Sequence, residues 1–173
     1  LARNGLWSPA FPLIEPLRKN FINKSKWSKK AQAQFDLIKF HANITEAQAI
    51  ASWASPSQKV LAGLIDGRWQ QSLDVFENNL SSNYDIAKLL QNDTGRLRKR
   101  VDATIKVNRE EMNAIAWGTL IVASQKGRKR AMSWLNKQPS TSKQAKEKIE
   151  KLLDQLDAAF AKEENIYKNQ IQR

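Results

Sequence analysis

The chain has 173 residues, 41% of them hydrophobic and 27% charged. That is enough apolar material for the core of one ordinary domain, and too much for wholesale disorder. It contains no cysteine and one histidine, His41, which excludes disulfide scaffolds, thiol nucleophiles, the usual zinc sites and any two-histidine motif. With 29 Lys and Arg against 17 Asp and Glu, the formal charge is +12 and the isoelectric point about 10.0, a balance that favours a polyanionic partner over catalysis.

Residues 1–27 hold Gly5, Pro9, Pro12 and Pro16 among Leu6, Trp7, Phe11, Leu13, Ile14, Leu17, Phe21, Ile22 and Trp27. Each proline removes a donor and turns its predecessor away from helix. The segment reads as an extended N-terminal arm that needs a surface, either its own domain or a neighbouring subunit or ligand. Trp7, Phe11 and Trp27 are its candidate subunit-interface anchors. Lys24, Lys26, Lys29 and Lys30 surround Trp27, with Arg18 and Lys19 before them. A basic arm with interleaved aromatics can follow a phosphate backbone.

From residue 28 to 173 the pattern is a helical domain, with helices predicted near 28–43, 45–54, 56–80, 83–92, 96–125, 128–137 and 142–171. Thr45-Glu46-Ala47-Gln48 has the capping-box pattern, and Ser55-Pro56-Ser57-Gln58 adds proline at the first helical position. Trp53, Trp69 and Trp117 sit in apolar helical context and read as core. Asn108-Arg109-Glu110-Glu111 places acids in a first turn.

Gly95-Arg96-Leu97-Arg98-Lys99-Arg100 is the sharpest feature. On a helix, Leu97, Val101, Ile105, Asn108, Met112 and Ile115 share one face, while Arg96, Lys99, Arg100 and Lys106 fall roughly opposite. The run Ala114–Ala123 is too short to cross a bilayer, which takes about 20 residues, and reads as a buried helix. Lys126-Gly127-Arg128-Lys129-Arg130 follows it directly. Basic runs of this kind belong to nucleic-acid, heparin or acidic-lipid patches by type. The apolar run beside this basic cluster also admits contact with anionic lipid, although the opening LARNGLWSPAFPLIEPL lacks the n- and h-regions of a secretory signal. In the last helix Ile149, Leu153, Leu156, Phe160 and Tyr167 form an amphipathic stripe. It suits the chain's own bundle or a partner helix, and Leu153, Leu156, Phe160 and Tyr167 are candidate subunit-interface residues.

Charge is segregated along the chain. Residues 1–43 carry net +6, 44–93 net −3, 94–139 net +8 and 140–173 net +1. Neutralising many phosphates releases many counterions, so such blocks suit strong, salt-sensitive binding without sequence preference. The candidate phosphate contacts are Arg96, Lys99, Arg100, Lys106, Arg128, Lys129, Arg130, Lys24, Lys26, Lys29 and Lys30. Enzyme readings fare poorly: His41 and Asp36 lie five residues apart, off a common helix face, and no acid–histidine–nucleophile set can be assembled. No catalytic residue, metal, cofactor or small-molecule substrate is expected.

A short, cysteine-free, all-helical, strongly basic chain with a proline- and aromatic-bearing arm resembles the major coat proteins of filamentous archaeal viruses. The likeness rests on residues 1–30, the basic stretches 96–109 and 126–130, and the amphipathic helix 142–171. In that family helical bundles and basic arms wrap double-stranded DNA and stack into a filament. The resemblance implies an all-α, non-enzymatic structural protein, present in a virion in many copies on nucleic acid, with double-stranded DNA favoured over RNA and a homo-oligomer or closely related subunit as neighbour. A first residue Leu1 fits a processed terminus and a fragment boundary alike. The alternative is a helical interaction module of a larger secretion, conjugation or phage assembly, cytoplasmic and bound to an acidic protein partner; a membrane partner is the weakest of the readings.

Overall fold

The run Ala114–Ala123 has no polar side, and a helix that is apolar all round has to be enclosed. In a computed structural model of the chain, which describes residues 1–23, 26–138 and 141–171, every side chain from Ala114 to Ser124 is buried. The regular structure of the described residues is all helical: α1 Trp7–Asn23, α2 Lys29–Ala49, α3 Pro56–Asp66, α4 Trp69–Asn78, α5 Asn83–Gln91, α6 Arg96–Val107, α7 Met112–Lys126, α8 Arg128–Leu135 and α9 Lys143–Ile171. Short 3-10 turns lie at Ala2–Asn4 and Leu80–Ser82. The all-α expectation is met.

Helix α7 is the axis of the bundle and packs against α4, α5, α6, α8 and α9. Trp117 is fully buried at its middle; its Nε1 donates to the Trp69 carbonyl at 3.0 Å and its ring meets Phe76 edge-on. Thr119 and Ser124 satisfy their hydroxyls on the carbonyls four residues back, Ile115 and Leu120. Gly118 is where Trp134 of α8 comes closest: a Cβ there would stand 2.9 Å from Trp134 Cζ3 and 3.0 Å from Val101 Cγ1. Around this axis Leu73, Phe76, Ile86, Leu90, Leu97 and Leu135 are fully or almost fully buried. Each such side chain is worth about 1.5–3 kcal/mol of transfer free energy.

The stripe on α9 closes the same core. Leu153 and Leu156 are buried with Ile149 and Leu152, so they are intramolecular core and not the subunit-interface residues expected. Phe160 is half-buried and packs edge-on against Tyr84. The side chain of Tyr167 lies outside the described residues. Because Ala114–Ala123 is enclosed on every side, it is not available to contact lipid, and no described helix is long and apolar enough to cross a membrane.

Three helix boundaries differ from the sequence reading. Thr45-Glu46-Ala47-Gln48 does not start a helix: Thr45 is buried inside α2, and its hydroxyl donates back to the His41 and Ala42 carbonyls. An interior hydroxyl with an i−4 carbonyl to bond has no need to cap. The helix predicted over 56–80 breaks at Gly67, which adopts φ 78°, a conformation glycine reaches without penalty. The helix predicted over 96–125 breaks after Val107, where Asn108 turns extended and its Oδ1 accepts from the Glu110 N–H. The Ser55 capping box is present as predicted: Ser55 Oγ accepts from Gln58 N, and Gln58 Oε1 from Ser55 N.

The N-terminal segment corrects the arm expected over residues 1–27. It is helical instead of extended, and Leu6 is fully buried in the common core. Pro9 falls in the first turn of α1, where a missing N–H costs little. Pro12 and Pro16 sit one turn apart on its exposed side, where water can solvate the carbonyls they leave free. The opposite side packs on α2: Trp7 stacks on His41 at 4.8 Å, Phe11 meets Phe35, and Ser8 donates to the Ala42 carbonyl. Ser8 also bonds the buried Asp66, whose carboxylate accepts from Arg68 Nε at 2.7 Å; Arg68 reaches Glu46 on α2 with its other nitrogen at 2.8 Å. The Asp66 hydrogen bond, ahead of the opposing cost of burial, holds the Arg68 guanidinium above its usual pKa. This polar node ties α1, α2 and α3 together. Trp53, read as core, is 83% exposed in the α2–α3 turn.

Gly118→Ala should lower stability by about 1–3 kcal/mol, because the added Cβ would press on the Trp134 ring and on Val101 and push α8 out of its seat. In a urea titration the midpoint should fall with an unchanged m value.

Candidate nucleic-acid interface

The basic residues of α6 begin at the helix's first turn. Asp93 supports that start: its carboxylate accepts from the Gly95 and Leu97 N–H groups. An acid there complements the positive end of the helix dipole, but Arg96, Arg98, Lys99 and Arg100 work against it. Leu97 and Val101 face the core, so the helix turns its remaining sides, with their cations, outward.

These cations divide into three groups. Arg98 is engaged: it pairs with Asp102 at 2.9 Å and lies over the Trp134 ring at 4.5 Å. Arg100 is half-buried beneath the N-terminal turn, where its guanidinium lies against Gly5; a Cβ on Gly5 would stand 3.1 Å from Arg100 Cζ. Its Nη1 donates to the Arg96 carbonyl, and its Nε is buried without a partner. Burial, then the neighbouring charge of Arg96, holds its pKa below the usual arginine value. Arg100 thus serves as a packing residue and corrects the expectation of a freely exposed phosphate contact. Arg96, Lys99 and Lys106 are exposed and make no ion pair among the described residues.

Helix α8 is brought alongside α6 by α7. Gln125, at the end of α7, donates to the Leu90 and Asp93 carbonyls and so fixes the α7–α8 corner next to the start of α6. Trp134 then wedges α8 against Gly118 and Val101. Between the two helices lies an open groove of about 640 Å³, lined by Asn4, Lys99, Asp102, Lys106, Arg109, Trp134 and Gln138. Its one carboxylate, Asp102, is occupied by Arg98, so the groove presents Lys99, Lys106 and Arg109 as an uncompensated cationic row.

Arg128 departs from its expected role. Its Nη1 donates to Asp154 at 2.7 Å and Asp157 at 2.8 Å on α9. These two hydrogen bonds raise its pKa, the Asp157 contribution being the larger. Arg128 is therefore a tie between α8 and α9. Lys129 and Arg130 are exposed at the α7–α8 corner. Lys26, Lys29 and Lys30 are exposed at the far end of the α1–α2 hairpin, roughly 25 Å along α1 from Trp7 at 1.5 Å per residue, and Lys24 lies outside the described residues. The structure thus joins the two basic blocks of 94–139 and leaves the arm cations as a separate cluster. Trp7 and Trp27, expected as subunit anchors, are half-buried within the hairpin; Trp27 donates Nε1 to Gln32 and meets Phe35 edge-on.

Arg109 is the groove residue the sequence reading did not single out. It lies in the turn beyond the end of α6, so helical spacing from Lys99 and Lys106 does not account for its place in the groove. The Trp134 floor had no sequence signal either, because it depends on how closely α8 approaches Gly118. Among the described residues no cluster of His, Cys, Asp or Glu is arranged to hold a metal ion.

Arg128→Gln should cost up to about 1 kcal/mol, as its partners are exposed and solvent-screened. Repeating the urea titration from about 0.05 to 0.5 M salt should erase much of that difference. No protein-family model, curated protein or solved structure matches the chain.

Proposed function

We propose that the protein is a structural, sequence-independent nucleic-acid binder, a coat or packaging subunit that assembles in many copies on DNA, as in a virion. The observation that carries this reading is the row Lys99, Lys106 and Arg109 in the α6–α8 groove, with Arg96, Lys129 and Arg130 exposed nearby. Among the described residues these charges make no ion pair, and Arg96 and Lys99 sit near the positive end of α6, where they are unfavourable in the free protein. A polyanion relieves that cost, and each phosphate neutralised releases counterions. Lysine and arginine in an open groove suit phosphate contacts, which position a strand without reading its bases.

Anisotropy measurements on unrelated duplexes from about 50 to 200 mM salt should give one steep, shared salt slope. The variant carrying Lys99→Glu, Lys106→Glu and Arg109→Glu should weaken duplex binding and flatten the log–log slope by at least about 2.7, or 0.9 per contact. All three residues are exposed, so helicity should be retained. Lys129→Gln should lower the slope by about 0.9 while Arg128→Gln leaves it unchanged. Duplex binding unaltered by the triple reversal overturns the assignment of this groove. A protein that ignores nucleic acid at low salt but captures an acidic polypeptide would instead be a helical interaction module.

A further inference from the structure

Helix α2 has two apolar stripes, on opposite sides. Phe35, Ala42, Thr45 and Ala49 face α1 and α3 and are buried. Two residues out of phase, Ala33, Leu37, Phe40, Ile44 and Ala47 repeat in steps of four, three, four and three and are all exposed. Leu37 is 52% exposed and Phe40 60%. This spacing is the a/d seam by which one helix packs along another, and it runs for about 21 Å at 1.5 Å per residue. Ile50 and Trp53, also exposed, continue the apolar surface into the next turn.

Charge identifies the occupant. The chain carries +12 overall, so two copies repel except where a face is free of cations. Between residues 31 and 50 there is one lysine, Lys39, against Asp36 and Glu46, which is too little positive charge for an anionic membrane or a nucleic acid to favour this face. Lys29 and Lys30 fall in the first turn of α2, at the positive end of its dipole, with no acid there and no base in the last turn, whose Glu46 is held by Arg68 on the buried side. Within one helix that order is unfavourable. An antiparallel copy sets each lysine pair beside the negative carboxyl-terminal end of the other helix's dipole; a parallel copy would stack lysine on lysine. Lys30 lies seven residues before Leu37, in register with the seam, and is placed for this.

We propose that a second copy of the chain docks on this face, the two α2 helices antiparallel about a two-fold axis near Phe40. The inference goes beyond nucleic-acid binding and is tested without nucleic acid, so it stands or falls separately. The seam is smaller than the roughly 800 Å² per partner of a standard interface, so the dimer should be concentration-dependent. Sedimentation velocity of the full chain, freed of nucleic acid, at about 150 mM salt to screen the net charge, should show monomer passing to dimer with rising concentration. Leu37→Glu and Ile44→Glu should each weaken dimerisation at least about tenfold while leaving the thermal melt in place, since both side chains are already exposed. The chain has no cysteine, so orientation can be read directly. Ala33→Cys and Ala47→Cys chains mixed together should cross-link to each other, and neither alone. Monomer up to about 1 mM, or dimerisation untouched by both glutamate variants, overturns the proposal. Cross-linking of each variant only to itself overturns the antiparallel arrangement. A chain that stays monomeric but floats with anionic phospholipid vesicles assigns the face to lipid instead.

Discussion

Enclosure of α7 is the constraint from which the rest of the bundle follows. A helix buried from Ala114 to Ser124 has no side to offer solvent, so five other helices must supply its surroundings. That demand consumes Trp69, Trp117, Phe76 and the leucines of α9. The close approach at Gly118 then sets how far α8 can move towards α6. The apolar core and the basic groove are therefore one construction: the groove exists because α7 holds α6 and α8 side by side.

The same packing sorts the cations. Twenty-nine basic side chains look equivalent in composition, yet their neighbours make them different. Arg68 is held by Asp66 and Glu46, Arg98 by Asp102 and the Trp134 face, and Arg128 by Asp154 and Asp157. Arg100 is lodged under Gly5. Lys99, Lys106 and Arg109 have none of these attachments. Surface pairs such as that of Arg128 contribute little stability; their larger effect is to take a charge out of play, which concentrates the uncompensated field on the groove.

The α1–α2 hairpin stands apart in character. Its inner side is anchored by the Ser8–Asp66–Arg68–Glu46 node and by the ring contacts of Trp7 and Phe11. Its outer side keeps Leu13, Leu17, Leu37 and Phe40 in solvent. Scattered apolar residues at a surface are ordinary, but a seam in helical register is a contiguous patch, and such patches mark contacts. The bundle thus presents polyanion chemistry on one part of its surface and helix-packing chemistry on another.

Properties that depend on residues within one or two turns were legible from the sequence alone: the all-α class, the Ser55 cap, the stripe Ile149–Leu153–Leu156 and the outward cations of α6. Local chemistry sets each of these, because hydrogen bonds and side-chain neighbours in a helix span three or four residues. Proline content misled at α1, since the docking of Phe11 and Leu6 outweighs the bonds that Pro12 and Pro16 forgo. Only the tertiary structure decided that Arg128 belongs to α9, that Arg100 is lodged beneath the amino terminus, that Thr45 lies inside a helix and that Trp53 is left in water. The Arg128 and Arg100 contacts join residues tens of positions apart, and periodicity carries no information about which helices become neighbours.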